Sequence, residues 1–306
     1  MKKGLILGGI LLPYLIHAQH TDSVRSPLVT TAPRLGGVTV SNLVAPVKTN
    51  GNTFLLQLPV VDISVPLYKN FSSVHAVLIK TGIRYEGMML NDEKNIGSSN
   101  FHSLTVPFVA SYSFSRKTNL TLIGLATIAS DFKQNIVADD ILYTAGVRIG
   151  FQPKSTLRYG VTFTYIHNYS GDFFLPLPDI DWMISKKWNL AGVLPARLSL
   201  KYKFVPSQSI GITAWSLVNM YRVNDGPEKQ YLNLQQYSAG LIYDLNLGGR
   251  WKVTLSAGHT MMQRLETFNM DQKVSFNNFS KLYDRTPNVS YRQNSFVAQG
   301  GISHQF

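Results

Sequence analysis

Residues 156–169 read Thr-Leu-Arg-Tyr-Gly-Val-Thr-Phe-Thr-Tyr-Ile-His-Asn-Tyr. Leu157, Tyr159, Val161, Phe163, Tyr165 and Tyr169 share one parity; Arg158, Gly160, Thr162, Thr164 and Asn168 share the other. Successive side chains of a strand point to opposite faces, so this is an extended segment with one apolar face and one small or polar face. The pattern recurs at 141–151, 104–115, 197–204, 236–246 and 251–258, where apolar and aromatic residues alternate with Gly, Ser, Thr and a few Arg or Lys. Segments of about 9–13 residues have the length of tilted strands that cross a bilayer, whereas soluble strands are commonly about 5–6 residues. Two stretches break the rule: 120–129 is apolar on both parities, and 53–65 is interrupted by Pro59.

Composition points the same way. The chain has 306 residues with 15% charged and 44% hydrophobic side chains, 15 Tyr, 16 Phe and 4 Trp. So few charges argue against disorder and against a helical bundle, whose outer faces need Glu and Lys. Cysteine is absent, which excludes thiol catalysis, zinc-thiolate sites and disulfide scaffolds. Lys2, Lys3 and the apolar run 4–16 form a signal-peptide pattern, with cleavage expected after Ala18. Residues 1–18 are then a signal peptide, 19–36 a periplasmic lead-in and 37–306 the folded domain. Beyond that run no apolar stretch is long enough for a transmembrane helix, which leaves a closed barrel as the membrane-spanning solution. The fold expected is all-β: a transmembrane, antiparallel, up-and-down β-barrel in the outer membrane of a Gram-negative bacterium.

Tyr143, Tyr165, Tyr169, Phe151, Phe114, Trp188 and Trp251 fall near strand ends, as girdle residues at headgroup level do. Phe296, Ala298, Gly300, Ile302 and Phe306 share one parity, so the chain closes on an amphipathic strand with a terminal aromatic. Such an ending resembles the assembly signal of bacterial barrels, which makes the barrel-assembly machinery a partner and Phe306 its reading point. Strand number follows from alternating short turns and longer loops. Short connections are expected at 66–72, 115–118, 152–155, 206–208 and 247–249, and long ones at 87–100, 131–138, 223–233 and 263–292. With 37–46 and 54–65 as the first pair, the region 170–205 holds one strand or three, the latter including 178–185 and 188–194. The count is twelve or fourteen, with fourteen preferred.

Charge defines the candidate site. Formal charge is +12, but an exported chain without a basic helix or a basic-aromatic motif is no nucleic-acid binder. The inward parity carries Lys80, Arg84, Arg148, Arg158, Arg197, Lys201, Lys203 and Lys252 against Glu86 and Asp244. Other acids, among them Asp92, Asp131, Asp140, Asp172 and Glu266, fall in expected outer loops, where lipopolysaccharide and other outer-membrane lipids are within reach. A basic lumen concentrates anions, which suggests a passive channel for small anionic solutes. The alternative is a structural or surface-interaction barrel with a plugged lumen. A lipid-modifying enzyme is the third reading, and the residues give it little: His167 lies on the outward face, and Ser256 and His259 have opposite parity. No catalytic, cofactor or metal residue is assigned.

Ile63-Ser64-Val65-Pro66-Leu67 and the run Leu175-Pro176-Leu177-Pro178-Asp179-Ile180-Asp181-Trp182-Met183-Ile184-Ser185-Lys186-Lys187-Trp188-Asn189-Leu190, with Leu194-Pro195 and Tyr202-Lys203-Phe204 beyond it, resemble outer-membrane barrels known only as a domain of unknown function. The resemblance covers most of 54–306. It implies the barrel fold and transfers no activity and no functional residue.

Overall fold

The computed structural model describes residues 36–48, 53–71, 75–93, 95–224, 229–273 and 285–306; the expected signal peptide and most of the lead-in lie outside them. The strands are β1 Gly37–Lys48, β2 Thr53–Phe71, β3 Ala76–Asn91, β4 Asn100–Ser113, β5 Thr118–Ser130, β6 Ile141–Lys154, β7 Leu157–Asn168, β8 Gly171–Met183, β9 Trp188–Val193 and β10 Arg197–Val205. They continue as β11 Gln208–Val223, β12 Gln230–Gly248, β13 Trp251–Asn269, the short β14 Val289–Arg292 and β15 Phe296–Gln305. From β1 to β14 each pairs antiparallel with the strand before or after it in sequence, and β15 pairs with both β13 and β1, which closes the ring. β14 lies beside the upper part of β13 in line with β15, so the two together fill the fourteenth position. Closure leaves no edge between last strand and first, as a spanning sheet requires.

Alternation puts Val40, Ile83, Val106, Phe108, Val147, Phe163, Ile212, Leu241, Leu255 and Phe296 on the outer face, all exposed. A belt of exposed apolar residues on a closed barrel is a lipid-facing surface. Register carries the opposite parity inward.

The expected boundaries need several corrections. β2 runs through Pro66 to Phe71, because the proline sits at a register shift and the strand resumes beyond it. β11 and β12 narrow the loop expected at 223–233, and β13 with β14 narrows that expected at 263–292 to 270–288. The stretch 170–205 holds three strands, but the first begins at Gly171 rather than at 178. Tyr169 is no girdle residue: it is 1% exposed, and its hydroxyl donates to the Ala129 carbonyl at 2.8 Å.

At the seam, the Phe306 amide donates to the Gly36 carbonyl at 3.1 Å, and the His304 ring packs at a tilt between Trp251 and Phe306. Phe306→Ala removes the last ring of this outward series. We expect a large fall in heat-modifiable barrel in the membrane fraction with export across the inner membrane intact; unchanged levels would remove the assembly role.

Candidate functional site: a lumen in two storeys

The described residues of the connections after β3, β5, β7, β11 and β13 lie at one end of the barrel, the loop end, and 194–196 turns on the same side below them; 114–117, 155–156, 184–187, 206–207 and 249–250 lie at the other end. Toward the loop end the inward residues are apolar. Ala45, Val47, Leu56, Met88, Leu90, Phe101, Leu232, Leu234, Leu265 and Val297 are each at most 1% exposed and form one packed cluster. The inward face was expected to be small, polar and wet throughout. This half instead resembles a soluble-protein core enclosed by a barrel, because the wall is flattened enough for opposite strands to touch.

Flattening is visible in contacts across the lumen. The Phe101 and Tyr221 rings from β4 and β11 lie 5.6 Å apart. β11 leans over the shorter strands until Arg222 pairs in parallel with Ser130 of β5. Arg222 then holds Asp140, in the 3-10 turn Ala138–Asp140, at 2.6 Å and 2.7 Å. Asn224 donates its amide to Asp131 at 3.0 Å and its side chain to Ser130 at 2.9 Å. Tyr169, at the tip of the β7–β8 hairpin, stacks on Tyr231 beneath this clasp. Burial and the Asp140 carboxylate push its phenol pKa up, so it remains a neutral donor.

Below the apolar half lie the charges. Arg84 donates to Glu86 at 2.8 Å, and Glu86 also accepts from Asn219 across the lumen. Arg148 grips Asp179 with two hydrogen bonds of 2.8 Å and reaches Asn119 at 2.9 Å. Gly150 and Gly160 make this grip fit: a Cβ at either would fall 2.2 Å or 2.7 Å from the Arg148 guanidinium. Arg158 faces Asp181 in register. Lys201 and Lys252 converge on Asp244 at 2.7 Å and 3.0 Å, and Arg197 donates to Gln299 at 3.1 Å. Lys80 pairs in register with Val109 of β4, and Lys203 with Ser209 of β11.

The expected charge balance changes with these positions. Asp62, Asp179 and Asp181 also take the inward parity, beside Glu86 and Asp244. Among the described strands, the eight expected basic residues and Lys69, which pairs with inward Leu78, face five carboxylates, four positive charges in net rather than six. Asp179 and Asp181 were hidden by reading their stretch as an ambiguous connection, and the alternation Asp179, Asp181 was the available signal. Asp172, placed in an outer loop from sequence, lies on β8 facing outward, where it holds His167 at 2.6 Å and the Tyr165 hydroxyl at 2.9 Å. The His167 ring stacks on Tyr143 at 4.6 Å between centroids, a girdle arrangement at the loop end.

A closed fourteen-position β-barrel with a lipid-facing outer surface and a two-storey lumen defines a transmembrane-type barrel protein. A family profile described as a domain of unknown function (DUF6268) matches residues 48–303, and the chain belongs to that family. Among solved structures the chain is similar to the NanC porin, at 8% identity and TM-score 0.34 over 88% of this chain and all of that one. It is also similar to a deletion mutant of the TodX monoaromatic hydrocarbon channel, at 7% identity and TM-score 0.40 over 91% and 92%. The translocator domain of the autotransporter NalP from Neisseria meningitidis aligns at 10% identity and TM-score 0.32 over 91% of each chain. No curated protein sequence matches the chain.

Proposed function

We propose that this protein is an outer-membrane barrel that is shut toward its loop end and holds a basic chamber toward its turn end. The apolar packing of the loop-end lumen carries the reading: Leu56, Leu90, Phe101, Leu232 and Leu265 leave ions no hydrated axial path. The chamber keeps a net positive charge, so the solute class that suits it is a small anion. Its walls are braced by ion pairs, and paired groups attract an incoming anion less than free ones. This favours the plugged reading over a constitutive anion pore. Outer-membrane lipids, lipopolysaccharide and the barrel-assembly machinery are the partners such a location supplies.

Planar-bilayer recording on the refolded, heat-modifiable protein tests this. The expected trace shows no sustained open level in a neutral salt gradient. Stepwise ohmic conductance in the unmodified protein would overturn the closed reading; an anion-directed reversal potential would then point to a pore through Arg197, Lys201 and Lys203.

A further inference from the structure

The wall of the barrel has a gap. β8 pairs with β9 only over Asp179 to Met183, and above this the Leu194 amide donates to the Pro178 carbonyl at 2.8 Å. The N–H and C=O of one strand residue point to the same side, so Pro176 and Pro178 turn their nitrogens toward that edge. Proline has no N–H, and an unpaired edge bearing proline loses fewer hydrogen bonds. The facing strand is β11. Its Ser216 amide reaches the Ala196 carbonyl at 2.9 Å, and its Arg222 carbonyl receives the Asp131 amide at 3.1 Å. Between these points Val218 and Met220 present their backbone to the same side, and no ladder partner for them is found there among the described residues.

β8 and β11 therefore bound an opening, with the connection 194–196 as its sill and the β5–β11 clasp as its lintel. Two strand positions are missing above the sill, which in a regular sheet corresponds to about three spacings of 4.8 Å, and the opening narrows upward where Met220 packs against the cluster of Tyr169, Tyr231 and Phe268. The opening lies at membrane depth. β9 has six residues, fewer than the roughly 9–11 needed to cross the bilayer. Residues 193–196 are Val-Leu-Pro-Ala, a turn without a polar side chain, with Leu194 44% exposed.

Inside the opening the surface changes from apolar to basic. Leu175 and Leu177 of β8 and Leu217 of β11 take the inward parity, and Leu175 is 38% exposed although it faces inward. At the inner edge of the sill, Arg197 and Trp215 are direct cross-strand partners on the same face. The buried Trp215 indole Nε1 has no hydrogen-bond partner among the described residues, and a buried donor without an acceptor is costly.

We propose that this opening is a lateral port for a long-chain carboxylate, which passes tail and head from the membrane hydrocarbon into the lumen. Its alkyl chain lies along Leu175, Leu177 and Leu217, and its carboxylate is received by the Arg197 guanidinium and the Trp215 Nε1–H. The inference rests on the reading above only for the membrane location.

The test uses the full protein in lipid nanodiscs, with Trp182, Trp188 and Trp251 changed to Phe so that Trp215 is the one remaining indole. A brominated long-chain fatty acid is expected to quench Trp215 saturably. Arg197→Gln should weaken that binding about tenfold and leave the matching brominated alcohol within about twofold, since only the carboxylate loses a charge-assisted bond. The chain contains no cysteine, so Val218→Cys on the outer face of β11 can carry a bulky maleimide; entry should slow at least tenfold. Absence of saturable quenching in heat-modifiable protein overturns the site. So do equal losses for acid and alcohol, or quenching by brominated phospholipid that the fatty acid does not displace. An unchanged entry rate after maleimide labelling overturns the lateral route. Open-pore conductance in the unmodified protein would remove the closed-barrel reading while leaving the quenching result standing.

Discussion

Arg222→Leu is expected to release the loop-end clasp and speed exchange of the Asp131 amide by two to three orders of magnitude. That amide donates to the Arg222 carbonyl, where β11 meets β5. Arg222 is 5% exposed, and its guanidinium contacts both oxygens of Asp140, which is 2% exposed. Removing it strands a buried carboxylate whose remaining acceptor role is to the Val137 amide at 2.9 Å. Breaking one side of a buried pair costs about 3–5 kcal/mol, and replacing both sides with apolar residues costs far less. Arg222→Leu with Asp140→Leu should therefore recover most of the protection. Hydrogen exchange followed by mass spectrometry on the segment 130–140 reads both results. Protection unchanged in the single variant would mean that the backbone pairing, not the ion pair, holds the clasp.

Asp179→Ala is expected to destabilise the barrel by about 3–5 kcal/mol, because it leaves the Arg148 guanidinium buried against Asn119 alone. The two side chains are 4% and 1% exposed, so solvent replaces little of the lost attraction. Arg148→Met with Asp179→Leu should lie within about 1–2 kcal/mol of the parent. Gly150→Ala should damage the same brace by steric means, since its new methyl group would meet the guanidinium. Urea titration in lipid vesicles, scored by heat-modifiable migration, reports all three. Equal stability of Asp179→Ala and the double replacement would show that the pair is not a structural brace.

Much of the fold was legible because a two-residue period needs no tertiary information. Leu157 to Phe163 and Ile141 to Phe151 state their inner and outer faces directly. What the period could not give was the partner of each charge. Arg148 and Asp179 are separated by 31 residues and meet because β7 lies between β6 and β8. The apolar loop-end lumen was also hidden. Leu43, Ala45 and Val47 alternate with Val44 and Pro46, so β1 is apolar on both faces, and its parity alone does not say which face meets lipid.

The sequence by itself determined the class: a barrel of alternating strands ending in an amphipathic strand, with most strand charges on the parity away from lipid. Local sterics and the cost of charge in hydrocarbon suffice for that. Only the tertiary structure decided that the barrel is flattened, that β11 reaches β5, and that β9 and β10 stop short beneath them. Those outcomes depend on strand lengths and stagger summed around a closed ring, where each register fixes the next. A gap between β8 and β11 is a property of that ring, and no single strand encodes it.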